Sequence, residues 1–124
     1  MKLPRIYVGD DNKSHFEELD LPMLPDRRAT SEWLTDAAMA FGESPALPPQ
    51  AWHHAPRRQL VAVLSGALEI EVGDGSKRRF GTGDFFLADD LAGQGHRTND
   101  VEGPVRLLYV QLPPDLDPAQ WRKA

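Results

Sequence analysis

The sequence predicts an all-β sandwich or barrel, and three observations carry that prediction. Short apolar, β-rich runs recur through the second half of the chain. Glycine turns separate them: Ser65-Gly66, Gly73-Asp74-Gly75 and Gly81-Thr82-Gly83-Asp84. No segment carries the sustained 3.6-residue periodicity of a long amphipathic helix.

Taken in order, the first fifty residues are broken by Pro22, Pro25, Pro45, Pro48 and Pro49, and proline ends helices and central strands alike. Arg5–Gly9, Phe16–Leu19 and Ala37–Phe41 read as short edge strands, and Ser31-Glu32-Trp33-Leu34 as the opening of a helical turn. From residue 50 the strands follow closely. Gln59–Leu64 ends at Ser65-Gly66, and Leu68–Val72 alternates Leu68, Ile70 and Val72 inward against Glu69 and Glu71 outward. Gly73-Asp74-Gly75 makes a hairpin turn. Arg78–Phe80, Phe85–Ala88, Gly95–Asn99 and Val105–Leu112 complete the set; Pro113-Pro114 stops the last strand, and Pro118–Arg122 forms a terminal helical turn. The expected organisation is a single domain over 1–124: an irregular segment 1–49, a core 50–113 and a tail 114–124. Neither an internal repeat nor a low-complexity tract interrupts it.

Composition narrows the function classes. A chain of 124 residues, 40% hydrophobic and 27% charged, suits one modest core. Its net charge of −5 argues against nucleic acid, because phosphate binding needs a concentrated basic surface. The one basic cluster, Lys77-Arg78-Arg79, follows a turn and reads as the solvated face of a hairpin. No apolar run approaches the roughly 20 residues of a membrane span. The start, Met1 to Tyr7, lacks the apolar centre of a signal peptide, so a cytoplasmic protein is expected. With no cysteine there is no disulfide, thiolate nucleophile or Cys-ligated zinc. Ser65 and Ser76 have no histidine at a readable spacing, so nucleophilic catalysis has no support.

Residues 52–66, Trp52-His53-His54 through Gln59 to Ser65-Gly66, resemble the first cupin motif: a His-x-His pair, three or four residues, a Glu, six residues and a Gly. Counting back from Gly66 puts Gln59 at the glutamate position, His54 at the second histidine and Trp52 at the first. Gly83-Asp84 through Gly93 to His96 and Asn99 resembles the second motif. It departs from the family in a stretch about two residues longer, in Asp89-Asp90 where a proline would sit, and in an early Asn99. The chain is similar to small single-domain bacterial cupins of uncharacterised function. That resemblance implies an antiparallel jelly-roll barrel, a double-stranded β-helix, with a pocket at its centre. It also implies a homodimer in which irregular N-terminal strands add to the partner's sheet, a way of covering edge strands.

In that register His54, Gln59 and His96 are the candidate metal ligands, and His54 and His96 the candidate catalytic residues. Trp52, Phe86, Asp90 and Tyr109 are expected to line the pocket. His53 and His54 are adjacent, so only one points inward, and the register selects His54; a local bulge would instead turn His53 in. Trp52 either roofs the pocket or is a core aromatic. Two imidazoles and a carboxamide bring no negative charge to a cation, whereas open iron sites usually pair two histidines with a carboxylate. Any divalent Fe, Mn, Ni, Cu or Zn is therefore expected to bind weakly, unless Asp89 or Asp90 folds inward. Arg57-Arg58 either anchors an anionic substrate or pairs with Asp89-Asp90. His15 decorates a surface strand.

Three readings of function stay open. One is a metal-assisted dioxygenase, isomerase or lyase acting on a small molecule. Another is a metal-free isomerase or cyclase in which His54 and His96 do acid–base work. The third is a module that binds or senses a small ligand without turnover. Each takes a small molecule as partner and excludes nucleic acid and membrane.

Overall fold

The computed structural model describes residues 1–25 and 28–122. Seven strands are followed by one 3₁₀ turn: β1 (Lys2–Val8), β2 (Ser14–Asp20), β3 (Ala38–Ser44), β4 (Gln59–Glu71), β5 (Lys77–Gly81), β6 (Phe85–Asp89), β7 (Arg97–Gln111) and the turn Pro118–Trp121. They form one sheet in the order β2-β1-β6-β4-β7-β3, with β5 on the far half of β4. All pairings are antiparallel except β1 with β6. The protein is all-β, as its glycine-punctuated pattern predicts.

Two expectations change in detail. The pairs of short strands expected on either side of Gly66 and of residues 100–104 are each one long strand, β4 and β7. Register shifts between Val63 and Leu68 let these strands bend without breaking the ladder. At the bend Gly66 has φ +84, and a Cβ there would lie 2.7 Å from the carbonyl oxygens of Glu102 and Pro104, so only glycine fits. The helical turn expected at Ser31–Leu34 does not form; those residues are irregular, with Trp33 89% exposed.

Strand alternation divides the apolar residues between two faces. Ile6, Val61, Val63, Leu68, Ile70, Phe80, Phe86 and Val105 make the inner core, with Leu107 and Tyr109 against it. Leu3, Leu19, Leu87 and Leu112 pack outside, covered by Leu116 and Trp121 of the C-terminal segment. A buried ion-pair network ties the outer face together. Arg5 donates to Asp89 through Nε (2.9 Å) and Nη2 (2.6 Å), and through Nη1 to Glu17 (2.6 Å). Arg58 donates to the other Asp89 oxygen at 2.7 Å and also to the Leu116 carbonyl. Of the two roles open to Arg57-Arg58, Arg58 takes the pairing one, with Asp89. Among the described residues no helix is long and apolar enough to cross a membrane.

Candidate functional site

The inner face opens on a cavity of about 170 Å³, whose wall includes Gln59 and Val61 of β4, Phe86 of β6 and Tyr109 of β7. His96, just before β7, begins an alternation that carries His96, Thr98 and Asp100 to the same wall. The register agrees: Thr98 lies opposite Ile70 and Asp100 opposite Leu68, both inner residues.

The second imidazole at the cavity is His53. His53 N–H donates to the His96 carbonyl and His96 N–H donates to the His53 carbonyl, both at 2.9 Å. This isolated antiparallel bridge sets the two side chains on one face, with ring centroids 4.7 Å apart. Alternation then sends the neighbours the other way. His54 is exposed and outside the cavity wall, its Nδ1 3.0 Å from the Ala55 carbonyl. Trp52 is also outside, under the Arg97 guanidinium at 5.1 Å. The inward placement of His54 and Trp52 is thus corrected to His53.

Gly95 makes that bridge feasible. Its φ is +80, and a Cβ would sit 2.0 Å from the His53 carbonyl oxygen. Ser14 holds the glycine from the other side: its buried hydroxyl donates to the Gly95 carbonyl at 2.6 Å and accepts from Gly73 N–H at 2.7 Å. The β1–β2 turn therefore supports the loop that presents His96.

Asp90 does not line the cavity but stands behind it. It is fully buried, and one carboxylate oxygen accepts from His96 Nδ1 at 2.6 Å. The other, Oδ1, is buried with no hydrogen-bond partner. His53 Nδ1 lies 3.0 Å from the Ala51 carbonyl, which only accepts, so that nitrogen carries a proton. In the neutral form of either ring the lone pair is then on Nε2.

Gln59, Phe86 and Tyr109 lie in the wall. Burial raises the Tyr109 hydroxyl above its usual pKa, and the nearby Asp100 charge adds to the effect. Asp100 Oδ2 accepts from Leu47 N–H at 2.8 Å. Asp100, Thr98, Gln50 and Ser44 are polar wall residues that the sequence did not single out, and His53 was only the alternative to His54. The signal for Asp100 was alternation counted forward from His96; for His53 it was the glycine directly before His96.

No family model and no curated sequence matches the chain. Solved structures of similar fold include SPY1581, a protein of unknown function from Streptococcus pyogenes. It is 20% identical at a TM-score of 0.50, over 71% of this chain and 72% of that one. NMB1881 of Neisseria meningitidis is 15% identical at 0.49, over 66% and 88%. The cupin domain of Cnp3 from Schizosaccharomyces pombe is 16% identical at 0.49, over 90% and 83%. At these identities the likeness is one of fold alone. The chain is a small all-β protein that shares its fold with SPY1581, and its glycine-turn motifs resemble those of cupins.

Proposed function

We propose that the cavity binds a small organic molecule beside His53 and His96 and that these imidazoles move a proton on it. The observation that supports this best is the buried Asp90–His96 hydrogen bond with a second imidazole alongside. A carboxylate on Nδ1 fixes the tautomer, so His96 offers its Nε2 lone pair as a base. A proton taken up there makes the ring cationic, and the Asp90 carboxylate then lies against that charge. His53, exposed beside His96, accepts or returns a proton on the neighbouring atom. Gln59 and Tyr109 orient the ligand through hydrogen bonds, and Phe86 supplies an apolar wall.

A resident divalent cation fits these residues poorly. His53, Gln59 and His96 are neutral donors, and among the described residues no three His, Cys, Asp or Glu side chains stand together as a metal site. A weakly held cation is the second reading. The Asp90–His96 bond favours it, because ligating imidazoles are usually backed by a carboxylate.

Solvent-deuterium exchange into a panel of small carbonyl and amine compounds, followed by proton NMR, tests the first reading. Exchange that falls by roughly 10² or more in His96→Gln supports it, since acid–base groups contribute about that much. His54→Ala should exchange at the wild-type rate. Exchange that needs added Mn²⁺ or Ni²⁺ favours the second reading, and no exchange with any compound leaves a binding module.

We also propose that a second copy of the chain covers β3. This strand ends the sheet, and among the described residues no other strand pairs its outer edge. Its outer face carries Met39, 62% exposed, and Phe41, 71% exposed, in register with Val110 and Leu108 of β7. A long apolar edge strand otherwise invites indiscriminate pairing.

A further inference from the structure

We infer that the cavity takes a small organic ammonium, a cation of about six to ten non-hydrogen atoms by comparison with the roughly 150 Å³ that holds benzene. This rests on the reading above that the cavity is the ligand site, and it adds the chemical class.

The charge of the wall points this way. Asp100 is the formal charge that lines it, and among the described residues no Lys or Arg does. Arg57 lines a separate shallow hollow that shares Gln59 and Tyr109 with the cavity. Asp100 Oδ2 takes the Leu47 N–H, while Oδ1 has no hydrogen bond among the described residues and is free for a ligand donor. A carboxylate or phosphate entering here would meet an anion with no cation to answer it.

Hydrogen-bonding capacity agrees. The imidazoles of His53 and His96 each offer an Nε2 lone pair, and the Gln59 amide and Tyr109 hydroxyl can accept as well as donate, so a ligand with several N–H donors finds partners here. Phe86 and Tyr109 add aromatic faces, whose quadrupole attracts cations. The buried Asp90 behind His96 adds negative potential from below, and the net charge of −5 attracts cations from solution.

The test compares three probes of one shape, benzylammonium, benzyl alcohol and benzoate, by calorimetry at pH 7. The imidazole resonances of His53 and His96 report where each one binds. Benzylammonium is expected to bind at least about tenfold more tightly than the other two, with a preference that shrinks as salt is added. Asp100→Asn keeps an oxygen for Leu47 N–H and should lower benzylammonium affinity about tenfold and benzyl alcohol affinity by less, so that the preference for the cation shrinks. If that variant fails to fold, the wild-type ranking and its salt dependence decide alone. Benzyl alcohol or benzoate binding as tightly as benzylammonium would overturn the ammonium class and leave the cavity as the ligand site. No shift of either imidazole with any probe would overturn both.

Discussion

Replacing Gly95 by alanine should separate the two imidazoles, and the size of the effect can be worked from the backbone. The residue has φ +80, where an L side chain costs about 1–2 kcal/mol. Its Cβ would stand 2.0 Å from the His53 carbonyl oxygen and 2.4 Å from His54 N, so backbone has to move. That motion breaks the two 2.9 Å hydrogen bonds between His53 and His96, at about 0.5–1.5 kcal/mol each. A loss of roughly 2–4 kcal/mol follows after a small gain from the stiffer unfolded chain. Gly75 is the control. It has φ +90 with nothing within 4 Å of an added Cβ, so Gly75→Ala meets the strain alone, about 1 kcal/mol. For a domain of this size each kcal/mol moves Tm by about 3–5 °C. Gly95→Ala should therefore melt at least about 4 °C below Gly75→Ala in the same thermal scan. It should also lose the nuclear Overhauser contacts between the His53 and His96 rings. Equal melting temperatures with the ring contacts intact would refute the bridge as the device that selects His53.

Three further outcomes are expected. Asp89→Asn removes the anion shared by Arg5 and Arg58, leaving a buried guanidinium with Glu17 alone; about 3 kcal/mol should be lost, seen as a Tm fall of roughly 10 °C, and a fall under about 3 °C would count against the network. His15 is raised above 6.5, chiefly by its hydrogen bond to Asp11 and further by Asp74, while Asp11 and Asp74 are lowered from 3.8, Asp11 chiefly by His15 and Asp74 chiefly by Ser76. The raised group stabilises the fold fully below about pH 6.5 and loses that contribution as pH rises through its folded value; the lowered carboxylates contribute above about pH 3.8 and lose it in acid. His15→Asn should thus lower Tm more at pH 5.5 than at pH 8.5, and an equal effect at both would exclude the ion pairing. Phe41→Asp should convert a dimer to a monomer by light scattering, and a wild-type protein that is already monomeric would remove β3 as a self-interface.

How much of this was legible in the sequence depends on what sets each feature. The strand core was, because period-two alternation in Leu68-Glu69-Ile70-Glu71 and the turn glycines Gly75 and Gly83, both with positive φ, are local signals. Gln59, Phe86 and Tyr109 reach the cavity by the same alternation, counted inside strands whose register the core fixes. His53 and His54 lie outside any strand, in a segment where Pro56 and the preceding prolines leave no period to count. Their facing is decided from across the fold, by one bridge to His96 that depends on Gly95 having no side chain and on Ser14 holding that glycine's carbonyl. A motif register counted along the chain therefore lands one residue off, on His54. Asp90 follows the same logic: its carboxylate lies behind the wall on His96 Nδ1 rather than in the cavity. A carboxylate expected among the cavity groups becomes the support of one imidazole, and the second imidazole comes from the position that the motif register would have turned outward.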